Sequence, residues 1–350
     1  MKEKFFTSKT IIGILICFIL AIPAWLLGTE FPIIGGPVFG ILIGMLLAFF
    51  KRPAILDKGI KFTSKYILQY SIILLGFEMN LFNVIKVGGQ SLLVMIFTLT
   101  SSFITAYFLG KAMKIDGNTT TLIGVGTSIC GGSAIAATAP VIKAEDEDVA
   151  QAISTIFLFN IIAVFIFPPL GHLIGLSDTG FGMWAGTAIN DTSSVVAAGA
   201  SWSSAAGNNT ALAFATIVKL TRTLMIVPIT LTLAVYTARK ISRQKAAASH
   251  SSEPAETENN FSFAKVFPWF VLGFVLTAIL NTFLPIPVSV SETLVKIGKF
   301  MIVMAMTAIG LNTNLKKLLT NGLKPILLGL CCWFVVAVVS LIVQHFIGMI

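Results

Sequence analysis

Long apolar runs occupy most of this sequence and constrain its fold more than any other feature. About eleven such runs follow one another, each about twenty residues long. Backbone N–H and C=O groups in lipid must find partners within the protein, and runs of this length favour helices over barrel strands. Only 11% of the 350 residues are charged, well below the share in soluble domains. The sequence therefore predicts an all-α fold, a polytopic transmembrane helical bundle of about 11 segments.

Basic residues indicate how the segments are oriented. Lys51 and Arg52 follow the second segment, Lys111 follows the fourth and Arg239 follows the eighth, so the basic loops alternate with the non-basic ones. This pattern predicts a multi-pass protein of the cell (inner) membrane, with a cytoplasmic N-terminus and an external C-terminus. The loops account for the net charge of +9, and nucleic acid is not an expected partner. The predicted segments cover residues 11–27, 35–50, 66–80, 91–110, 121–142, 149–174, 181–200, 211–238, 265–283, 292–312 and 325–346.

One polar stretch divides the chain. Residues 239–264 contain AAASHSSEPAETENN, which has few apolar residues and is typical of disorder. The predicted organisation is an N-terminal transmembrane block over residues 1–238, a disordered cytoplasmic loop over 239–264, and C-terminal transmembrane helices over 265–350.

Two internal similarities suggest repeats. ILLGFEMNLFNVIKVGG, from Ile73, resembles TAIGLNTNLKKLLTNGL, from Thr307, and the predicted topology runs these segments in opposite directions. Inverted repeats of this kind are common in secondary transporters. GTSICGGSAIAA, from Gly126, resembles GTAINDTSSVVA, from Gly186, and these segments hold the densest small and polar residues at membrane depth. We expect both to be discontinuous helices, and charge counting leaves open whether they span the membrane or re-enter.

The first discontinuous segment suggests an anion site. Adjacent glycines weaken a helix, so we expect a break near Cys130, Gly131 and Gly132, with a new half-helix from Ser133. The N-terminus of such a half-helix offers free N–H groups and the positive end of its dipole. The structural alternative is a close-packed helix interface built from small residues.

Charged residues add to this hypothesis. Asp191, between Asn190 and Thr192, lies near the predicted membrane centre, where an acidic residue is costly and typically functional. Lys219 and Arg222 share a face of the eighth segment and provide two cations for one acid. The candidate substrate- or ion-binding residues are Cys130, Gly131, Gly132, Ser133, Asn190, Asp191, Thr192, Ser193, Lys219 and Arg222. No catalytic residue, metal site or cofactor is expected, apart from a coupling H⁺ or Na⁺.

A family resemblance rests on these same motifs. GTSICGGSAIAATAPVIKAEDEDVAQAISTIFLFNIIAVFIFPPLG and GTAINDTSSVVAAGASW closely resemble the YeiH-type family of bacterial membrane proteins, for which sulfate export has been suggested. The resemblance covers nearly the whole chain. More distantly, the pattern is similar to bile-acid and glutamate sodium symporters of the sodium/proton-antiporter superfamily. That likeness implies inverted repeats with broken helices that cross at the membrane centre.

The expected function is secondary active transport of a small anion, such as sulfate, a sulfonate or a carboxylate, coupled to an ion gradient. One alternative is a cation/proton antiporter with Asp191 as the proton carrier, and another is a channel or structural membrane component. An enzyme is not expected, because no nucleophile–base pair or nucleotide-binding motif is present. The expected partners are the lipid bilayer and the anion, and the sequence leaves open whether the protein forms a homodimer. Lys219→Gln or Arg222→Gln is predicted to weaken anion binding, and Asp191→Asn to alter the dependence on pH or Na⁺.

Overall fold

The computed structural model describes residues 8–32, 34–50, 52–248, 269–313 and 322–350, and the secondary structure in these ranges is helical throughout, without strands. The polytopic helical fold predicted from the apolar runs is therefore confirmed. Six helices in these ranges are long and apolar enough to cross a membrane: Thr10–Glu30, Leu81–Ala112, Glu147–Leu173, Thr210–Thr237, Val288–Asn312 and Leu323–Phe346. Each predicted segment contains a described helix. The number of crossings stays a prediction.

Fifteen α-helices make up the described fold, and we number them in chain order. They are α1 Ser8–Glu30, α2 Gly36–Ala48, α3 Asp57–Phe62, α4 Leu68–Leu75, α5 Leu81–Ala112, α6 Gly117–Ser128, α7 Gly132–Ile142, α8 Asp146–Leu173, α9 Asp178–Ala188, α10 Thr192–Ala206, α11 Thr210–Leu224, α12 Ile226–Ala248, α13 Trp269–Phe283, α14 Val288–Asn312 and α15 Leu323–Phe346. A π-helical turn joins α3 to α4, and short 3₁₀ turns flank this pair.

The first discontinuous segment is a hairpin that enters and leaves at one end of the bundle. Helix α6 ends at Ser128 and α7 begins at Gly132, so three residues form the tip. At the other end of the hairpin, the Thr119 hydroxyl donates a 2.6 Å hydrogen bond to the Asp148 carboxylate at the start of α8. The entry of α6 and the exit of α7 are therefore neighbours, and we call this element hairpin 1.

The second discontinuous segment has the same form. Helix α9 ends at Ala188 and α10 begins at Thr192. The carboxylate of Asp178, at the start of α9, accepts hydrogen bonds from Trp202 Nε1 at 2.7 Å and Asn208 Nδ2 at 2.8 Å, both from the end of α10 or just beyond it. We call this element hairpin 2.

Helix α8 connects the hairpins and places their bases at opposite ends of the molecule. It has 28 residues, which corresponds to about 42 Å and exceeds the hydrocarbon core of a bilayer. Each arm of hairpin 1 has only 11 or 12 residues, or about 17 Å, so it reaches about half-way. Both segments thus fold back as hairpins, which favours re-entrant over spanning segments, and their position in the membrane stays a prediction. The crossing arrangement implied by the distant superfamily resemblance is not the one this chain adopts.

The helices pack as two groups. Helices α1 to α4 pack with α13 and α14, and we call these the panel group. Helices α5 to α12 pack with α15 around the two hairpins, and we call these the hairpin group. The main contacts between the groups are those of α10 with α2 and α14, and of α5 with α13. Glycines permit the closest approaches, since a side chain at Gly44 would collide with the backbone of Gly310 in α14.

The two ends of the bundle differ in charge. The turn before α5 lies beside α13, because Asn281 Nδ2 donates to the Met79 carbonyl. The far ends of α3 and α5, near Arg52 and Lys111, therefore lie at the other end, where Arg52 donates to the carbonyl of Leu311. We call this the basic end; it also holds the base of hairpin 1. The cytoplasmic location of the basic end stays a prediction from charge.

Two of the predictions concern segments that the structure describes only in part. Helix α12 continues to Ala248, so residues 239–248 of the expected disordered loop are helical. Residues 249–264 lie outside the described residues, and the division into blocks stays a prediction. Residues 314–321, which contain much of the second copy of the proposed inverted repeat, also lie outside the described residues.

Candidate functional site

The tips of the two hairpins meet at the middle of α8. A side-chain carbon added at Gly131 would lie 3.5 Å from Asp191 Cβ and 3.6 Å from Asn160 Nδ2. The Asn160 Oδ1 atom accepts a 3.0 Å hydrogen bond from the backbone N–H of Asp191. Asn160 lies half-way along α8, so the structure brings the candidate residues of both tips together at mid-depth.

Lys219 bridges the two tips. Its ammonium group donates to the carbonyl of Ile129 at 2.8 Å and to the carbonyl of Ile189 at 3.0 Å. These isoleucines hold matching positions in the internal similarity that begins at Gly126 and Gly186. The side chain of Lys219 is 0% exposed. One buried cation thus binds the equivalent atom of each hairpin.

Arg222 extends the same interaction. Its Nε donates to the Ser128 carbonyl at 2.7 Å, Nη1 donates to the Ile189 carbonyl at 3.3 Å, and Nη2 donates to the Thr127 carbonyl. These acceptors lie at the C-terminal ends of α6 and α9, where unpaired carbonyls and the negative dipole end favour a cation. The two cations therefore stabilise two helix ends that stop inside the protein.

Close packing of α11 against α9 puts the cations at this depth. A side-chain carbon at Gly186 would lie 2.7 Å from the Val218 side chain, and one at Gly182 would lie 2.7 Å from Phe214. Any larger residue at these glycines would push α11 away from the hairpin. The sequence thus uses small residues in α9 to bring Lys219 and Arg222 to the tips.

Asp191 caps α10 and forms no ion pair with Lys219 or Arg222 in the described part of the chain. Its carboxylate accepts a 3.0 Å hydrogen bond from the Ser193 backbone N–H and a second from the Ser193 hydroxyl. An N-cap aspartate satisfies one of the free N–H groups at a helix start. Two cations and one acid in the sequence suggest an ion pair, but backbone carbonyls bind both cations and Asp191 caps α10 instead.

Asn190 and Cys130 hold matching positions at the two tips but have different surroundings. Asn190 is 1% exposed, and neither its amide oxygen nor its amide nitrogen has a hydrogen-bond partner within the described ranges. Cys130 is buried in an apolar cluster with Val125, Ala134 and Ile226. Burying an unpaired amide costs free energy. Among the described residues of the tips, Asn190 is therefore the one that a ligand would stabilise most by hydrogen bonding.

Space at the tips opens toward the start of α7. A side-chain carbon at Gly132 would meet no atom within 4 Å, and Ser133 is exposed. Gly131 has φ 70° and no side chain to cap the helix, so among the described contacts the N–H groups of Gly132 and Ser133 have no capping side chain. Asp191 is partly exposed, whereas Thr192 and Ser193 are buried. The accessible residues of the site are therefore Gly132, Ser133 and Asp191.

Sequence reasoning missed some residues that organise this site. Asn160 had a signal, since it is a lone amide in the apolar run IFLFNIIAVF. Asp148 and Asp178, which close the bases of the hairpins, look like ordinary loop acids in the sequence. Glu78 and Lys299 look like ordinary charged residues near helix ends in the sequence, but the structure links them through Asn209.

Comparison with known proteins identifies the family of this chain. The family described as "Conserved hypothetical protein 698" matches residues 12–329. A UPF0324 membrane protein of Fusobacterium nucleatum is 49% identical, with 97% of this chain and 99% of that protein aligned. A UPF0324 membrane protein of Streptococcus agalactiae is 52% identical over 97% of this chain and 98% of its own length. No solved structure matches the chain significantly. The chain is thus a membrane protein of the YeiH-type UPF0324 family.

Proposed function

We propose that this protein is a secondary active transporter of a small anion, coupled to an ion gradient. The observation that carries the proposal is the meeting of two oppositely inserted hairpins at mid-depth, joined by Lys219. Non-helical backbone at membrane depth is tolerated where it is buried or lines a cavity, and transporters build central sites from such helix ends.

The closed contact of the tips favours a transporter over a channel. Lys219 and Arg222 bind carbonyls of both hairpins, and Gly131 packs near Asp191. The bases of the hairpins lie at opposite ends, so a ligand at the tips has a different hairpin between it and each end. Alternating access requires a central site that is separated from the two sides in this way.

The charge at the tips favours an anion. Two cations and one carboxylate leave one formal positive charge, and no further charge is added by Asn160 or Asn190. The positive dipole ends at the starts of α7 and α10 are offset by the negative ends of α6 and α9, so the excess positive charge is that of the side chains. Lys219 and Arg222 are fully buried, so they act on the ligand through their field. We expect direct contacts from the Gly132 and Ser133 N–H groups, the Ser133 hydroxyl and the Asn190 amide.

Transport by purified protein in liposomes tests the proposal. Uptake of sulfate, methanesulfonate and acetate is measured with and without gradients of pH and Na⁺. We expect uptake of at least one anion to depend on a gradient, and Lys219→Gln and Arg222→Gln to reduce it. Lys296→Gln is the matched control, because Lys296 is an exposed cation remote from the tips. Anion uptake that is equal in all variants would contradict the assignment.

A cation/proton antiporter is the competing function, and one observation favours it. Asp191 is a partly exposed acid next to the unpaired amide oxygen of Asn190, and oxygen ligands of this kind suit Na⁺ or a proton site. The same liposomes measure it: a Na⁺-dependent pH change without any anion, lost in Asp191→Asn, would establish the antiporter in place of the anion transporter.

A further inference from the structure

A cavity separates the panel group from the hairpin group at the end opposite the basic end. Its volume is about 410 Å³, within the usual range of small-molecule sites. Trp25, Thr29 and Lys299 line it from the panel group, and Ser203, Ser204 and Asn209 line it from hairpin 2 and the turn that follows. Neither the proposed central site nor the family description includes any of these residues.

The cavity is distinct from the tips. Helix α10 connects the two places, since Asp191 caps its start and Ser203 lies in its last turns. The intervening helix corresponds to about 18 Å. A ligand in the cavity therefore lies at this end of the bundle, without contact with Lys219 or Arg222.

Charge in the cavity has one sign. Lys299 is the single charged residue among the described residues of the lining, and none of them is acidic. The Lys299 ammonium donates to Asn209 Oδ1, while Asn209 Nδ2 donates to Glu78, which is not part of the lining. Among the described contacts this leaves two ammonium N–H donors of Lys299 for another acceptor.

A hydroxyl group adds a second donor. Ser203 is 4% exposed, and its Oγ accepts a 3.1 Å hydrogen bond from the Leu212 backbone N–H, which leaves the O–H bond to donate. Glu78 interacts with Lys299 from outside the cavity, but no described residue of the lining is a carboxylate. A half-buried ammonium and a hydroxyl that face such a cavity match the needs of a small oxyanion.

We propose that this cavity is a second, outer binding site for a small sulfonate, sulfate or carboxylate anion, with Lys299 and Ser203 as the groups that hold it. The anion class rests on the proposed function. The site itself rests on the cavity, its lining and its charge. Because Lys299 lies in the panel group and Ser203 in the hairpin group, an anion bound to both connects the two groups.

Thiol labelling tests the site without any transport measurement. Ser204 is exposed and lines the cavity, so Ser204→Cys is made in a chain whose four cysteines are replaced. The purified protein is treated with a methanethiosulfonate reagent that carries a sulfonate and, separately, with one that carries a quaternary ammonium. We expect the sulfonate reagent to react faster, and Lys299→Gln to lower the rate ratio about five- to tenfold, as for one unit charge close to the thiol.

Matched variants complete the experiment. Lys296→Gln removes a cation from the same helix outside the cavity and is expected to leave the ratio unchanged. Lys299→Arg is expected to retain it, and sulfate or acetate is expected to slow labelling only when a cation is present at position 299. Equal ratios in the parent and Lys299→Gln proteins, or labelling that neither anion slows, would overturn the outer site. Normal labelling by a protein that transports no anion would overturn the proposed function alone.

Discussion

Backbone carbonyls, rather than a carboxylate, are the partners of the buried charges in this protein. Lys219 and Arg222 lie at the ends of two helices that stop within the bundle, and they bind the carbonyls of residues 127, 128, 129 and 189. The ends of such helices expose acceptors that have no partner of their own. At the residue scale, the cations and the interrupted helices therefore require each other.

Lys219→Met is predicted to destabilise the protein. The substitution keeps the length of the side chain but leaves the Ile129 carbonyl without its ammonium donor and the Ile189 carbonyl with Arg222 alone. Loss of charged hydrogen bonds at a buried site costs about 2–5 kcal/mol. The thermal midpoint in detergent is expected to fall, whereas Lys296→Met should leave it unchanged. An unaltered midpoint for Lys219→Met would show that the bridge does not stabilise the tips.

Asp191 has two roles that substitutions can separate. Asn caps helices as well as Asp, so Asp191→Asn is predicted to keep the stability of α10 while it removes the charge. Asp191→Ala removes both, at a cost of about 0.5–2 kcal/mol for the lost cap. We expect the Asn variant to change the pH or Na⁺ dependence of transport with an unchanged thermal midpoint. A midpoint that falls equally in both variants would refute the capping role.

Half-length helices are the elements that create the site. The hairpins reach the centre because their arms are short, and each base is closed by one aspartate, Asp148 or Asp178. Stacked rings fix hairpin 2 further, since Trp202 lies between His172 and Phe181 at centroid distances of 3.8 and 4.1 Å. At the element scale, side-chain contacts close the bases, and the tips carry the unpaired amide of Asn190.

Adjacent glycines at the tip of hairpin 1 are predicted to differ in effect. Gly131 has φ 70° and ψ −129°, a conformation that other residues avoid, so Gly131→Ala should cost about 1–3 kcal/mol. Gly132 is helical and faces open space, so Gly132→Ala should leave the thermal midpoint unchanged. If the space is the substrate site, transport should fall in Gly132→Ala. Equal stability of the two variants would contradict the described tip.

The whole molecule has two groups of helices and two different ends. Hairpin 1 enters from the basic end, and hairpin 2 enters from the end that holds the outer cavity. Helix α10 takes part in the central site, the cavity wall and the contact between the groups. Movement of one group against the other would therefore change both sites together.

Re-entrance predicts which positions share a side of the membrane. In a cysteine-free chain, Gly117→Cys and Glu147→Cys flank hairpin 1, and Ile174→Cys and Ala206→Cys flank hairpin 2. An impermeant thiol reagent applied to intact cells should label the second pair and spare the first, because the basic end is predicted to be cytoplasmic. Labelling of one member of a pair without the other would indicate a segment that crosses the membrane.

The sequence by itself determined the class of fold and the location of the unusual backbone. An apolar run in lipid must form a helix regardless of which other segments pack against it. Clusters of glycine and polar residues indicate where such a helix ends. The breaks expected near Cys130 and Asp191 are present, at residues 129–131 and 189–191. Both features are local, so they can be seen in a stretch of about twenty residues.

Tertiary structure decided what the local pattern left open. Charge counting predicts the same sides of the membrane for the two termini whether both segments cross the membrane or re-enter it. The contact between Thr119 and Asp148 shows that hairpin 1 turns back. The partners of Lys219 are backbone carbonyls 30 and 90 residues away along the chain. Because every residue has a carbonyl, the residue types in the sequence do not identify these acceptors. The outer cavity likewise joins Lys299 to hairpin 2 across the interface between two groups of helices. Interactions with backbone atoms and between distant segments depend on packing, which the order of residues does not display.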